Sequence, residues 1–313
     1  MSFVEDFTWK KNITVKSLVD QFQHLGYQSI ELHNAADVIV KMKKNSAKMF
    51  LTFTSNMVTS GLRGFFAQLV KLHMADVIVT TVGGIEEDIM KAYGEKFSIG
   101  KFDSDDVELH EQGINRIGNL FVKNESYMMF EDKMMQFLDK AYKKKKVWPV
   151  SELLREIGLS LDDENSILYQ AAKNNVPIFC PAITDGAFGF HLYLFQQDHK
   201  DFQVDVVKDF GNILLSTNMD EKKGVIALGG SISKHHAILC TLLNGGAEYA
   251  VYLTTAHKTS GSMSGATTNE AKSWGKVKDD SDIATVIGDV TITFPLVMIR
   301  ALEELSEEGL LDG

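Results

Sequence analysis

Short apolar runs that end in small or polar residues recur along this chain. They are KMFLTF (48–53), DVIVTTVGG (76–84), PIFCPAITDGAFG (177–189), KGVIALGGSISKHH (223–236) and AEYAVYLTTA (247–256). Runs that are apolar on both faces are typical of parallel strands covered by helices on both sides. The amphipathic stretch LRGFFAQLVKLHMA separates the first two runs, which gives a strand–helix–strand unit with a parallel crossover. The sequence therefore predicts an α/β fold with a doubly wound, mostly parallel sheet and helices on both faces.

The first forty residues have a different pattern. A polar lead is followed by the helical stretches VKSLVDQFQHLG and NAADVIVKMKK. No internal repeat or low-complexity linker interrupts the rest of the chain. We predict an N-terminal helical appendage over residues 1–44 and one continuous domain over residues 45–313.

The composition excludes some classes of protein. A hydrophobic content of 44% with 24% charged residues is ordinary for a globular protein, so a disordered chain is a poor description. The net charge of −10 argues against a protein that binds nucleic acid by neutralising phosphates. It suits a cationic partner such as a polyamine or a basic protein, although many enzymes are this acidic for solubility alone.

The sequence also bears on the compartment. Cys180 and Cys240 lie far apart with no Cys-x-x-Cys pairing, so we expect packed, unbridged thiols in a reducing environment. The first thirty residues lack the basic start and apolar run of a signal peptide. No apolar segment approaches the roughly 20 residues that span a bilayer. We expect a soluble, cytoplasmic protein without a membrane partner.

Small-residue turns follow several predicted strands. In an open parallel sheet, ligands bind beyond the carboxyl ends of the strands. Ser55 to Thr59 leads from a strand into a helix, where exposed backbone N–H groups favour a phosphate. Thr81-Val82-Gly83-Gly84 and Gly229-Gly230 end two further strands. None of these turns matches G-x-G-x-x-G, and each taken alone can be a tight turn without a ligand.

Acidic and imidazole side chains adjoin these turns. Glu86, Glu87 and Asp88 follow one of them, where the plain interpretation is that they complement a helix dipole. Asp185 stands at another strand end and could accept hydrogen bonds from a ribose or an amine. His235 and His236 are adjacent and point in different directions, so a shared metal is not expected. A proton-transferring histidine and a structural one are equally compatible with the pattern.

The segment Gly261-Ser-Met-Ser-Gly-Ala-Thr-Thr-Asn-Glu-Ala-Lys-Ser-Trp-Gly-Lys276 carries the strongest chemical signal. It places Glu270, Trp274 and Lys276 close together. A lysine beside an indole can be partly desolvated, which lowers the pKa of an amine and frees it as a nucleophile. The indole can also hold a ligand cation over its face, and Glu270 can pair with that cation. The alternative is a tryptophan that covers a loop beside a surface lysine.

Several of these motifs resemble one known family in order, spacing and wording. They are TSNMVTSG, TTVGGIEED, GKFDSDDVELHEQGINRIGNLFVKNESY, PAITDGAFG, GVIALGGSISKHH, AEYAVYLTTA and EAKSWGK. The resemblance is to deoxyhypusine synthase, and it runs from about residue 45 almost to the C-terminus. It implies a Rossmann-like NAD-binding fold and a homotetramer with active sites at subunit interfaces.

The resemblance also implies a two-stage reaction. NAD oxidises spermidine, and an active-site lysine captures the butylamine portion as an imine. The imine then passes to a lysine of translation initiation factor 5A and is reduced by the retained NADH. Imine chemistry needs an unprotonated amine, and hydride transfer needs a dry cofactor cleft.

The matching motifs carry the family's roles onto residues of this chain. The imine-forming lysine falls at Lys276, and His235 is implied as the second catalytic residue, with no metal. The NAD contacts fall at Ser55, Asn56, Met57, Val58, Thr59, Thr81, Val82, Gly83, Glu87, Asp185, Gly230, Thr255, Ala256, Asp289 and Val290. The amine pocket falls at Glu86, Glu87, His235, Gly261, Ser262, Glu270, Trp274 and Lys276.

Three positions depart from the family's pattern. Phe190 and Met263 stand where the family has aspartates, and Leu239 stands where it has an asparagine. In the family these positions help to hold the ammonium groups of spermidine. Two missing carboxylates should cost several kcal/mol, at roughly 1.5–3 kcal/mol per charged hydrogen bond. The N-terminus is also short, so we expect the segment that caps the active site in some relatives to be shortened or missing.

Three functions follow from the sequence. The first is deoxyhypusine synthesis from spermidine and a lysine of translation initiation factor 5A. The second is a related enzyme with another donor, such as agmatine, or another acceptor, as in homospermidine synthesis. The third is a non-catalytic NAD-binding paralogue that regulates an active partner subunit, against which the retention of Lys276, Trp274 and Glu270 argues.

Overall fold

A computed structural model describes residues 3–311 of the protein. The strands are β1 (Lys48–Phe53), β2 (Val77–Thr80), β3 (Ser98–Ile99), β4 (Ile114–Ile117), β5 (Leu120–Lys123), β6 (Val147–Pro149), β7 (Ile178–Phe179), β8 (Gln203–Asp205), β9 (Lys223–Leu228), β10 (Ala247–Thr254) and β11 (Val277–Ile287). The helices are α1 (Val15–Gln21), α2 (Gln28–Lys44), α3 (Ser55–Met57), α4 (Arg63–Lys71), α5 (Val82–Ala92), α6 (Asp106–Glu111), α7 (Asn124–Lys144), α8 (Val150–Ser160), α9 (Ile167–Lys173), α10 (Ala187–Asp198), α11 (Val206–Leu214), α12 (Ser231–Leu243), α13 (Thr268–Ser273) and α14 (Val290–Glu307). Single 3₁₀ turns lie at Phe22–His24 and Met263–Gly265.

The described residues form two compact units. The first unit comprises residues 3–53, 72–79 and 212–311, and the second comprises Thr54–Lys71 and Thr80–Gly211. The division of the chain at residue 44, which the sequence suggested, stays a prediction.

The sheet of the first unit has its strands in the order β11-β10-β9-β1-β2. The pairs β1–β9, β9–β10 and β10–β11 are parallel, with Lys48 opposite Lys223 and Tyr252 opposite both Ala227 and Thr285. Every residue of β9 is buried, as are the last five of β1. Such strands, apolar on both faces, need helices on both sides of the sheet. The predicted α/β fold with a mostly parallel sheet is confirmed.

Helices cover the sheet of the first unit. α12 packs against β1 and β9, whereas α2 packs against β10 and β11. The N-terminal helices also pack on the C-terminal one, because α1 and α2 both contact α14. Ion pairs support this packing, since Arg300 contacts Asp20 at 3.0 Å and Asp37 at 2.8 Å. The two helical stretches that the sequence predicted before residue 45 are therefore part of a packed layer.

The second unit contains most of the shorter elements. β3, β5 and β4 form an antiparallel sheet in that order, and β6 pairs with β8 in parallel. α8 packs on α9, α4 packs on α9, and α7 packs on α10. The motif pattern of the sequence gave no indication of the antiparallel sheet.

A kink separates α3 from α4 in the second unit. The residues between them, Val58–Leu62, form a π-helical segment in which Gly61 has φ of 108°. A residue with a side chain rarely adopts this conformation, so the glycine permits the change of direction. The helix predicted from LRGFFAQLVKLHMA follows as α4.

Both cysteines are buried and free, as predicted. Over residues 3–311, none of the helices is both long and apolar enough to cross a membrane.

Candidate functional site

A cavity of about 150 Å³ lies in the first unit beside α12 and α13. Four predicted site residues line it, namely His235, Glu270, Trp274 and Lys276. The remaining lining residues are Ser231, Lys234, Ile238, Tyr252, Met263, Ser264, Ala266, Thr267 and Ala271. The structure thus brings together residues from three separate sequence motifs.

Local backbone geometry holds Lys276 at this cavity. The side chain of Thr267 caps α13 by accepting a hydrogen bond from the backbone N–H of Glu270. Gly275 has φ of 70°, which turns the chain after the helix. The Lys276 backbone then donates to Ala271 O at 3.1 Å and accepts from the Thr241 hydroxyl at 3.0 Å. These bonds fix the start of the lysine side chain.

The amine of Lys276 lies beside the Trp274 indole. Its Nζ is 5.0 Å from the ring centroid, and Lys276 is only 7% exposed. Trp274 is 61% exposed, so its ring offers a face to a ligand. An aromatic face at this distance attracts a cation. The predicted proximity of Trp274 and Lys276 is confirmed.

A second lysine in the cavity was not identified from the sequence. Lys234 is buried; its Nζ donates to Ala266 O at 2.7 Å and lies 4.1 Å from the centroid of the Tyr252 ring. Burial lowers the pKa of Lys234 to about 8, against the opposing effect of Glu270. Lys234 directly precedes His235 and His236 in the chain. His235 is exposed at the cavity, whereas His236 is not among its lining residues.

The predicted NAD contacts of the first unit lie at strand ends. Gly230 follows β9, Thr255 and Ala256 follow β10, and Asp289 and Val290 follow β11. These strands are adjacent and parallel, so the residues share the carboxyl edge of the sheet. Backbone bonds tie the ends together, from Gly229 N to Leu253 O (2.8 Å) and from Gly288 N to Thr254 O (3.0 Å). None of the five lines the cavity, and neither do Gly261 and Ser262.

The backbone of Gly230 lies so close to a neighbouring side chain that this position requires glycine. A Cβ atom on Gly230 would lie 2.3 Å from the side chain of Ser264, which itself lines the cavity. Only glycine avoids this clash. Asp289 has a structural task as well, because its carboxylate accepts the backbone N–H of Thr291 at 2.8 Å and caps α14.

The other predicted residues lie in the second unit. Ser55 N donates to the Thr81 hydroxyl at 3.0 Å, and a Cβ on Gly83 would lie 2.9 Å from Cβ of Ser55. The Thr59 hydroxyl donates to the Glu87 carboxylate. Members of the two turns, 55–59 and 81–83, are therefore packed against each other; Asn56, Met57, Val58 and Val82 belong to the same turns.

The carboxylates in the middle of α5, Glu86 and Glu87, are buried. Burial raises the pKa of Glu87 to about 7, although the Thr59 hydrogen bond and Lys91 oppose this change. Burial also raises the pKa of Glu86, which accepts the backbone N–H of Phe188 at 2.7 Å. Asp185 lies close enough to Glu86 to contribute to this rise. The interpretation of these acids as charges that complement the helix dipole is wrong, because neither lies in the first turn of α5 and both are only 5% exposed.

Comparison with known proteins identifies the family. The family profile described as "DS: Deoxyhypusine synthase" matches residues 17–301. A protein of Thermoplasma volcanium named "Probable deoxyhypusine synthase" is 42% identical, over 94% of this chain and 96% of its own length. The chain belongs to the deoxyhypusine synthase family.

Two further relatives agree with this assignment. A Schizosaccharomyces pombe protein of the same name is 38% identical to this deoxyhypusine synthase family member, over 91% of this chain and 86% of its own length. A crystal structure from Entamoeba histolytica assigned to the same family is 29% identical, with a TM-score of 0.70 over 96% of this chain and 97% of that one. Family membership makes the chain a transferase.

The three departures from the family pattern occupy different surroundings. Met263 is 60% exposed and lines the cavity of the first unit. Leu239 lies on α12 and is half-buried, outside the lining residues of the cavity. Phe190 lies on α10 of the second unit and is 57% exposed, with its ring 6.1 Å from that of His191.

Proposed function

We propose that this chain catalyses the NAD-dependent transfer of the butylamine moiety of spermidine to a lysine of translation initiation factor 5A. The observation that carries the proposal is the buried amine of Lys276 in a cavity lined also by Trp274, Glu270 and His235. The Lys276 Nζ lies 5.0 Å from the centroid of the Trp274 ring, so a ligand held against that ring is within reach of this amine. Membership of the deoxyhypusine synthase family supports the same assignment.

NAD is the proposed cofactor, and the turns of the chain fit a dinucleotide. Thr81 does not cap α5 with its side chain, so backbone N–H groups at the start of this helix are open to a phosphate. A side chain at position 83 would clash with Ser55, so the backbone of Gly83 lies close to this turn. Thr59 and Glu87 offer hydroxyl and carboxyl groups for a ribose. The proposed NAD contacts of the first unit are Gly230, Thr255, Ala256, Asp289 and Val290. Those of the second unit are Ser55–Thr59, Thr81–Gly83, Glu87 and Asp185.

The proposed reaction needs no oxidant other than NAD, because the hydride taken from the amine is returned at the end. When bound, NAD supplies a hydride acceptor at the amine-bearing carbon and later returns that hydride. The Lys276 amine adds to the oxidised carbon, and 1,3-diaminopropane leaves with the proton that Lys276 gives up. The acceptor lysine would then displace Lys276 from the imine in the same way, which frees Lys276 for another cycle.

The residues that line the cavity have distinct proposed roles in this reaction. The Trp274 ring holds the ammonium of the incoming amine, and the Glu270 carboxylate pairs with it. His235 relays to the leaving 1,3-diaminopropane the proton that Lys276 releases when the imine forms. Glu86 and Glu87, with Gly261 and Ser262, are the remaining proposed contacts for the amine substrate. Each of these roles follows the family pattern residue by residue.

A second candidate function keeps the imine chemistry and changes the substrate. Met263 lines the cavity in place of a family aspartate, so one carboxylate partner for an ammonium group is missing. The enzyme would then use another amine donor, such as agmatine, or a small amine as the acceptor, as in homospermidine synthesis. The regulatory, non-catalytic function has less support because Lys276, Trp274 and Glu270 share one cavity.

Assembly and location belong to the same proposal. Each active site in the family is completed across a subunit interface, so we propose a homotetramer that works in the cytoplasm. In a closed assembly of this kind the same surface patches meet in every copy.

Trapping with borohydride tests the proposed chemistry. The full-length protein is incubated with NAD and spermidine, reduced, and analysed by mass spectrometry. We expect the mass of a butylamine group on Lys276, and release of 1,3-diaminopropane that rises with the factor protein as acceptor. Lys276→Ala and Lys276→Arg should both show no adduct, the latter because a guanidinium stays protonated.

A matched control separates chemistry from folding. Lys272 lies on α13, and its Nζ donates to Asp279 O at 2.7 Å away from the lining residues of the cavity. Lys272→Ala should keep full adduct formation. Full turnover by Lys276→Ala, or an adduct on another lysine, would overturn the proposed function. An adduct of different mass with another amine would favour the second candidate.

A further inference from the structure

Lys91, in the last turn of α5, contacts the turn 55–59 without being part of it. Its Nζ donates hydrogen bonds to Val58 O at 2.7 Å and to Thr59 O at 3.1 Å. Both carbonyls lie at the start of the π-helical segment Val58–Leu62. Hydrogen bonds from a charged donor are stronger than those from a neutral one. One side chain therefore joins α5 to the turn that is proposed to bind NAD.

The turn is held against α5 at both of its ends. At its beginning, the Ser55 N–H donates to the hydroxyl of Thr81, the residue that precedes α5. At its end, Lys91 binds the last two carbonyls. The backbone leaves regular α-helical geometry here, because a π-helical segment follows and Gly61 has φ of 108°. Contacts from α5 thus supply restraint where the helical backbone is interrupted.

The ammonium of Lys91 has a defined position. Lys91 is half-buried, and its Nζ lies 4.9 Å from the centroid of the Phe97 ring. Burial lowers the pKa of Lys91, whereas the neighbouring Glu87 raises it. The two carbonyls and the aromatic face offset the cost of removing this charge from water. The ammonium is therefore fixed between the turn and Phe97.

Lys91 also affects the two side chains that are proposed to meet a ribose. The Thr59 hydroxyl donates to the Glu87 carboxylate, and Lys91 binds the backbone carbonyl of the same threonine. The charge of Lys91 opposes the rise in the pKa of Glu87 that burial causes, whereas Glu86 adds to this rise. Loss of the ammonium would release the Thr59 backbone and favour protonation of Glu87.

We propose that Lys91 is a positioning residue for NAD, which holds the turn 55–59 against α5 in the conformation that binds the cofactor. Lys91 lies outside the motifs from which the NAD contacts were assigned. Its role rests on the proposed use of NAD by this chain. It acts through the turn and has no part in holding the amine substrate.

The variant Lys91→Met tests this role, because methionine has a similar flexible chain but neither the charge nor the donors. Calorimetric titration of the full-length protein with NAD should give a Kd about tenfold higher than wild type, the effect of about one charged hydrogen bond. Lys91→Arg keeps the charge and the donors, so its Kd should lie between those two values. The KM for NAD should rise with the Kd, and kcat at saturating NAD should stay within about twofold of wild type. An unchanged Kd for NAD in Lys91→Met would overturn the proposal.

Lys133→Met is the matched control. Lys133 is half-buried on α7, and its Nζ lies 4.9 Å from the centroid of the Tyr93 ring, so it shares the aromatic contact of Lys91. Its substitution should leave the Kd and the KM for NAD unchanged. Equal weakening of NAD binding by both variants would contradict a specific role of Lys91. Circular dichroism without NAD verifies folding, and Lys91→Gln takes the place of Lys91→Met if the latter does not fold.

The background Glu87→Gln separates the two ways in which Lys91 could act. An amide does not titrate, so in this background the charge of Lys91 no longer acts through protonation at position 87. Lys91→Met should still raise the Kd for NAD severalfold, and the disappearance of the effect would refute a role in holding the turn. A wild type without measurable NAD binding would overturn the proposed function as well. Equal NAD binding by wild type and Lys91→Met would overturn the role of Lys91 alone.

Discussion

Arg63 Nε lies 2.5 Å from Asp88 Oδ1, and both side chains are buried in the second unit. The Asp88 carboxylate also accepts from the Ser166 hydroxyl and from the backbone N–H groups of Ile167 and Leu168, at the start of α9. One carboxylate thus joins α4, α5 and the first turn of α9.

Removing this carboxylate should destabilise the protein strongly. Asp88→Ala leaves the guanidinium of Arg63 buried with only Asp163 as a charged partner, so we expect a loss of about 3–5 kcal/mol in the free energy of unfolding. Denaturant titration followed by circular dichroism measures it. Asp132→Ala, at an exposed position on α7, is the control and should change stability by less than about 0.5 kcal/mol. A similar effect of both substitutions would contradict the role of Asp88.

Glu87 should make stability depend on pH in a defined direction. Its pKa is about 7 in the folded protein against an ordinary value of 4.5, so the folded state binds the proton more tightly. The stabilisation is complete below pH 4.5 and is lost as the pH rises to 7. This difference between the two pKa values corresponds to at most about 3 kcal/mol in the free energy of unfolding.

The variant Glu87→Gln isolates this effect, because an amide does not titrate. Without NAD, its free energy of unfolding should rise relative to wild type between pH 4.5 and 7, and stay constant relative to it above that range. Denaturant titrations across the pH series measure the difference. Glu125→Gln, at an exposed position of α7, should show no such trend. A pH-independent difference for Glu87→Gln would refute the assignment.

Restoring the family's carboxylates should strengthen the use of spermidine. We expect Phe190→Asp combined with Met263→Asp to increase Lys276 adduct formation from spermidine, because an unpaired buried ammonium is costly. The two single variants complete a double-mutant cycle, in which substitutions that affect one ligand give a non-additive result. A wild type that already prefers spermidine strongly, with no gain in the double variant, would show that other groups of the assembled site supply the acids.

The proposed assembly is measurable in solution. We expect light scattering coupled to size-exclusion chromatography to give about four times the mass of the chain, 34.9 kDa. A dimer of dimers is the simplest closed arrangement of that size. A stable monomer with full transfer activity would contradict the proposal.

The parallel sheet could be predicted because burial on both faces leaves a compositional signal. β1, β9 and β10 are almost wholly buried, and each is a continuous apolar run in the sequence. The antiparallel sheet of β3, β5 and β4 leaves a weaker signal. Ile99 is 83% exposed, and the middle residues of β4 are exposed as well, so no apolar pattern marks these strands.

The candidate site was predictable only in part, for a similar reason. Glu270, Trp274 and Lys276 stand within one short motif, so their proximity follows from the chain itself. The burial of Lys234 depends on Ala266 O and on the ring of Tyr252, which belong to other elements. No spacing rule links these three positions. The buried state of Glu86 and Glu87 depends in the same way on Thr59 and on the backbone of Phe188.

The register of β1 has a consequence for synthesis of the chain. Lys48 pairs with Lys223 and Thr52 pairs with Ala227, so β1 lacks this neighbour until most of the polypeptide has left the ribosome. Contacts between residues so distant in sequence close slowly, because a large loop must be ordered first. During that delay β1 is an apolar strand with an open edge, which favours pairing with another nascent chain. β1 is therefore open to aggregation until the last third of the chain, which contains β9, has been synthesised.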